Sequence, residues 1–164
     1  IRAAIRNGIV VRTNLIIGFP HETRKNVWQT LVTQLHFAWI GVDEAPLFPF
    51  QPYPGTELFS YLISSGKVKI EDSYFDTLTT LSTGKFSLPG DSYCEHVGRR
   101  ELHFYRVVGV FLFILLSYTL RPVRVLRTVK NILLTEKSST VLEQRLKDML
   151  RRLKAPSVQN SVAK

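Results

Sequence analysis

With 164 residues, 45% of them apolar and 21% charged, the chain has the makings of one ordinary globular domain. Its one cysteine, Cys94, excludes an internal disulfide framework and any all-cysteine metal or cluster site within these residues, and it fits a reducing, cytoplasmic compartment. The formal net charge of +9 is uneven: residues 1–100 hold ten Lys/Arg against nine Asp/Glu, and residues 101–164 hold twelve against four, so a basic tail suggests an anionic surface or a solvated helix face.

The first residue is Ile, and Ile1–Asn7 reads as the end of a helix, with Ile1, Ala4 and Ile5 on one face and Asn7-Gly8 closing it. No long apolar core follows Arg2 and Arg6, so no signal peptide is expected, and the chain reads as a piece of a longer protein. Ile9–Ile17 is a strand whose apolar run is nearly continuous, the pattern of a strand buried on both faces of a parallel sheet. Arg12 and Asn14 interrupt it two residues apart, hence on one face. Polar groups pointing into a sheet serve either a ligand or a hydrogen-bond network.

Thr23–Ala38 is the next helix, with Val27, Leu31, Leu35 and Ala38 on one apolar face and Trp28 and Val32 widening it. Gly41 ends it, and Val42–Phe50 is a second strand-like run. Strand, helix and strand follow at the spacing of a parallel crossover. The adjacent Asp43 and Glu44 fall on opposite faces and make no catalytic carboxylate pair. Pro49–Thr56 is a rigid loop, a good ligand wall or simply a turn, and Thr56 caps a helix over Glu57–Ser65 closed by Gly66. Residues 71–81 hold a short helix, and Leu88-Pro89-Gly90 reads as a linker.

Val107–Leu120 carries no charge and is bracketed by Arg106 and Arg121. As a helix it spans ~21 Å, short of the ~30 Å hydrocarbon core, which favours a buried core helix or an interfacial segment over a spanning one. Arg121-Pro122 breaks it. Val123–Leu134 and Val141–Leu153 are basic amphipathic helices, the second with Leu142, Leu146, Met149, Leu150 and Leu153 on one stripe. Such helices pack on a domain, lie on a membrane or bind a partner. Residues 155–164 have a disordered composition. Cys94-Glu95-His96 with His103 is too tightly spaced for a structural zinc pattern; a helix-surface thiol with solvated histidines is the simpler reading.

Two motifs go further. Asn14-Leu15-Ile16-Ile17-Gly18-Phe19-Pro20-His21-Glu22-Thr23 and, about 30 residues later, as a crossover requires, Phe50-Gln51-Pro52-Tyr53-Pro54-Gly55-Thr56-Glu57-Leu58 together resemble the C-terminal half of the radical S-adenosylmethionine (SAM) barrel. The similarity is to the group that usually carries a cobalamin-binding domain, whose motifs read GFPGET and PYPGTEL. Ser117–Pro122 resembles the FYLRP stretch of that group.

The resemblance implies an α/β fold: residues 1–88 as the C-terminal part of a partial (β/α) TIM-like barrel, residues 89–154 as an all-α basic extension, and residues 155–164 as a tail. It implies reductive SAM cleavage and radical C–H activation, such as methylation or cyclisation, on a small molecule, often an apolar one in that group. Asn14 would reach the SAM ribose, Ile16 would pack on the adenine, and Gly18 would let the backbone approach. Glu22 would cap the turn or touch the cofactor, with backbone groups of Leu47 and Phe48 at the adenine edge. Arg12, by its inward orientation, is a candidate for the SAM carboxylate. His21 stands where the family has Gly, a tolerated turn substitution at a position that can take positive φ.

The three cysteines of CxxxCxxC that hold the family's four-iron four-sulfur cluster are missing. The resemblance puts the cluster ligands outside these residues, in the N-terminal half of the same protein, with cobalamin in the full protein as a further option. These residues alone would then be inactive. Rival readings are a non-catalytic, barrel-derived binding module and a membrane-surface docking module; no nucleic-acid partner is expected.

Overall fold

The computed structural model describes residues 1–71, 74–75, 92–134 and 141–154. Helices dominate: α1 (Arg2–Arg6), α2 (Arg24–Ile40), α3 (Glu57–Ser64), α4 (Arg99–Leu120), α5 (Val123–Leu134) and α6 (Val141–Lys154). The strands β1 (Leu15–Ile17) and β2 (Leu47–Pro49) run parallel, with Leu15 opposite Leu47 and Ile17 opposite Pro49. An isolated bridge from Arg12 to Glu44 extends the same register toward the amino end.

The crossover expected from the sequence is present, since α2 separates two parallel strands. The partial (β/α) TIM-like barrel is not. Among the described residues there are two strands of three residues each, and the fold is mostly helical rather than α/β. Barrel closure requires a sheet that returns on itself through staggered pairing, and two strands leave both outer edges open. The strand expected over residues 9–17 is also shorter and covered on one side only. Ile17 is fully buried, while Ile9, Val10, Arg12, Asn14 and Ile16 are exposed. A continuous apolar run does not by itself require two buried faces; what packs on each face decides.

Helix α2 starts where its capping residues place it. Thr23 takes extended φ and ψ, its hydroxyl accepts from the Asn26 backbone N–H, and the Asn26 side-chain Oδ1 accepts from the Thr23 N–H at 3.0 Å. Gly41, at φ +104°, ends the helix in the left-handed region. The buried face of α2 is Val27, Leu31, Gln34 and Ala38. Trp28 and Val32, expected to widen the apolar face, point outward at 54% and 63% exposure, and the fully buried polar residue is Gln34. Its amide is held at 2.7 Å on the Ala45 carbonyl, so that hydrogen bond offsets part of the cost of burying it.

Helix α4 organises the core. It begins at Arg99, so it reaches ~33 Å rather than the ~21 Å of the uncharged segment alone. It is the one helix among the described residues long and apolar enough to cross a membrane by length and composition. One face nevertheless packs on α2 and β2. Leu102, Tyr105, Arg106, Gly109, Phe113 and Ser117 are buried along it. Leu102 and Tyr105 join Ile17, Val27, Leu31, Leu47, Cys94 and Val97 in the principal core, and Phe113 joins Ala38 and Ala45 in a second cluster. Each fully buried large aliphatic side chain contributes roughly 1.5–3 kcal/mol. Gly109 makes the approach possible: a Cβ there would meet Leu31 Cδ2 and Gln34 Oε1 at 2.6 Å. Gly109 therefore lies on the packed side of the helix, not on its outward face.

Helix α3 is capped by Thr56, whose hydroxyl accepts from the Phe59 N–H at 3.2 Å, and Phe59 and Leu62 pack with Val68 and Tyr74 in a third cluster. Most of the short helix expected over residues 71–81, the linker at 88–90 and the tail 155–164 lie outside the described residues.

Candidate functional site

The two sequence motifs meet at the carboxyl ends of the parallel strands, where α/β units place ligand-binding loops. β1 leads into Gly18-Phe19-Pro20, and β2 leads into Phe50-Gln51-Pro52. The Phe50 N–H donates to the Ile17 carbonyl at 2.7 Å, which seats the loops side by side. The Phe19 and Phe50 rings lie 4.7 Å apart, and Tyr93 meets Phe50 edge-on at 6.4 Å. Gln51 is buried beneath this loop, and its Oε1 has no hydrogen-bond partner among the described residues.

The first turn is held by Glu22. Its Oε2 accepts from the backbone N–H of Gly18 and, at 3.2 Å, from that of Phe19, while the Glu22 N–H donates to the Phe19 carbonyl at 3.0 Å. This is turn capping, the first of the two roles suggested for this acid. Gly18 is required twice over. Its φ is +89°, and a Cβ would sit 2.7 Å from Leu102 Cδ1 on α4. Both demands are structural, so the glycine does not by itself argue for a cofactor.

His21 does not strain the turn, because no non-glycine residue has positive φ among the described residues. The imidazole is exposed, 5.7 Å from the Tyr61 ring, with Nδ1 3.9 Å from Glu95 Oε2. Glu95 also accepts from Lys67 Nζ at 2.8 Å, and this hydrogen bond is the main cause holding its carboxyl below the usual range.

Of the other residues singled out in the sequence, Arg12, Asn14 and Ile16 alternate along β1 and its approach, all on the uncovered face of the sheet. Arg12 Nε donates to Asn14 Oδ1 at 3.3 Å and lies 3.8 Å from Glu44 Oε2. The inward orientation expected for Arg12 is therefore an orientation toward solvent, and its guanidinium already has a carboxylate beside it. Ile16 is 46% exposed, and Phe48 stands opposite it in register. Leu47 turns its side chain into the principal core, leaving only backbone groups for any ligand.

Cys94 is not a helix-surface thiol. It is buried in the loop before α4 and donates to the Glu22 carbonyl at 3.1 Å, which ties that loop to the turn. Among the described residues no group of three His, Cys, Asp or Glu is arranged to hold a metal. These residues do not fit an iron–sulfur cluster.

Sequence reasoning missed the arginine pair after α4. Arg121 donates to the Ala38 and Trp39 carbonyls at 3.0 and 3.1 Å, and Arg124 donates to those of Gly41 and Val42 at 2.7 and 2.9 Å. Arg121 thus satisfies two carbonyls of the last turn of α2 and Arg124 those of its C-cap Gly41 and of Val42, and the pair places positive charge at the helix's negative end. Arg124 and Arg127 both reach Asp43 Oδ1, at 3.2 and 3.0 Å, while Asp43 Oδ2 accepts from the Val11 N–H. Burial lowers the Arg124 pKa from its usual value. The signal was the Arg121-Pro122-Val123-Arg124 stretch itself, which fixes the chain direction at the break and aims both guanidinium groups back at α2. Comparison with protein families, curated proteins and solved structures finds no match to this chain.

Proposed function

We propose that the chain contributes an adenosyl-binding wall to a radical SAM enzyme. One observation supports this reading most: two motifs 30 residues apart in sequence converge at one end of a parallel strand pair, beside an uncovered sheet face bearing Arg12, Asn14 and Ile16. Asn14 would hydrogen-bond the ribose hydroxyls, Ile16 and Phe48 would pack on the adenine, and backbone groups of Leu47 and Phe48 would meet its edge. Arg12 would orient the SAM carboxylate once released from Glu44. SAM bound to a reduced cluster would supply the radical chemistry; the residues here would bind and orient SAM and exclude water. The cluster cysteines would come from outside these 164 residues, and cobalamin, where used, from there as well. The substrate class is a small, apolar molecule, and the proposed setting is the cytoplasm at its membrane face.

The test is equilibrium binding of SAM to the full chain by calorimetry, with Asn14→Ala and Ile16→Asp. Both positions are exposed, so both variants should fold. Weaker SAM binding in each is expected. Absence of SAM binding by the parent chain, or unchanged affinity in both variants, removes the assignment. A non-catalytic binding module would instead bind no SAM while retaining the same fold.

A further inference from the structure

Among the residues of α5 and α6 whose side chains are described, the inward ones are polar and the apolar ones face outward. On α5 the inward residues are Arg124, Thr128 and Asn131, while Val123 and Leu126 face solvent at 72% and 71% exposure. Among the α6 residues whose side chains are described, Glu143 and Lys147 are buried, while Leu146, Met149 and Leu150 are 37%, 60% and 41% exposed. The two helices meet through polar groups, with Thr128 Oγ1 and Asn131 Nδ2 donating to the Glu143 carboxylate at 3.2 and 3.1 Å. A helix on a water-soluble domain does the reverse, burying its apolar stripe and wetting its polar one. Helix α4 adds a second outward stripe. Phe104, Phe111 and Leu115 lie opposite its packed face and are 61%, 62% and 53% exposed.

The charge of the hairpin selects what covers it. By sequence α5 carries three basic and no acidic residues, and α6 carries five basic and two acidic; Arg124 and Arg127 are held on Asp43 and Lys147 is buried, so Lys130 is the exposed cation of α5, and the hairpin as a whole stays positive. A second copy would bring the same positive charge against it, which disfavours self-association. Nucleic acid would match the charge but not the aliphatic stripe. An anionic lipid surface matches both, since aliphatic side chains enter the acyl boundary while Lys and Arg remain among the headgroups.

We infer that the α5–α6 hairpin, assisted by the outer stripe of α4, is a docking surface for an anionic lipid bilayer, inserting Val123, Leu126 and Met149. The protein then lies on the membrane rather than crossing it, because the opposite face of α4 is committed to α2 and β2. This deepens the membrane-face setting proposed above and does not depend on SAM binding.

The experiment is co-sedimentation of the full chain with vesicles of phosphatidylcholine alone or mixed with phosphatidylglycerol, at low and high salt. Binding to the anionic vesicles alone, weakened by salt, is expected. Leu126→Glu and Met149→Glu should each weaken it about tenfold or more, while Ile63→Glu on α3 should leave it unchanged. All three positions are exposed, and unaltered circular dichroism verifies folding. No binding to anionic vesicles overturns the inference, as does equal binding by the parent and both hairpin variants. A concentration-dependent dimer abolished by the same variants, without vesicle binding, would assign the surface to a second copy instead. SAM affinity measured on the same samples separates failure here from failure of the cofactor reading.

Discussion

Replacing Gly109 by alanine sets two effects of opposite sign against each other. In an exposed helix interior, Gly→Ala stabilises by about 1 kcal/mol, because alanine loses less backbone freedom on folding. At this position the new Cβ would lie 2.6 Å from both Leu31 Cδ2 and Gln34 Oε1, and 3.3 Å from Leu47 Cδ2. Leu31 and Leu47 are locked in the principal core, and Gln34 is anchored through its amide to the Ala45 carbonyl. None of the three can swing away without opening other contacts, and such overpacking costs about 1–3 kcal/mol. The clash therefore wins by about 1 kcal/mol, which for a chain of this size lowers the melting temperature by about 2–4 °C. Thermal unfolding followed by circular dichroism reads this directly. A Gly109→Ala protein that melts above the parent would refute the packing of α4 on α2 and β2. Phe111→Ala, on the outward stripe of the same helix, should change stability by no more than about 0.5 kcal/mol in water.

Other consequences follow from the charged contacts. Arg124→Leu strips the Gly41 and Val42 carbonyls of donors and leaves Asp43 with Arg127 as its cation beside the Val11 N–H, and should destabilise by about 3 kcal/mol in urea unfolding; Arg124→Lys should recover little, since one ammonium cannot reproduce the forked geometry. Glu22→Ala should cost about 1–2 kcal/mol and speed amide exchange at Gly18 and Phe19, while Glu22→Gln, which keeps an acceptor, should lose less. Glu101 is held below its ordinary value of 4.5 chiefly by the hydrogen bond from Arg24, and Glu95 likewise by Lys67. Carboxyls with depressed folded-state pKa values contribute stability above their unfolded value and lose it as pH falls through the folded one. Melting temperature should therefore decline on acidification below about pH 4.5, and Glu101→Gln should flatten that decline; an equal slope in the variant would rule out the Arg24–Glu101 pair as a cause.

Local chemistry accounts for what was legible in the sequence. Thr23 and Thr56 offer hydroxyls to amides three residues on, and Gly41 supplies a positive φ, so the bounds of α2 and the start of α3 follow from residues in contact along the chain. The parallel crossover was legible too, because two apolar runs separated by an amphipathic helix have few ways to pair. Burial was harder to read. Trp28 and Val32 satisfy the apolar periodicity of α2 as well as Val27 does, yet they face solvent, because the position of α4 rather than hydrophobicity decides which stripe is covered. The same holds for β1, whose apolar run reads as doubly buried but has helical cover on one face only.

The sequence by itself determined where the helices start, where the chain turns, and that Gly18–Thr23 and Phe50–Leu58 are turn-forming motifs, since these depend on backbone preferences and side chains a few residues apart. Only the tertiary structure decided that the two motifs meet and that the sheet has two strands among the described residues. It alone showed that Arg121 and Arg124 close α2 from more than 80 residues away, and that α5 and α6 turn their apolar sides outward. The physical reason is that a helix pattern fixes two faces but not which one is buried; that choice belongs to the partner, here a cluster of carbonyls and carboxylates that draws the polar face in.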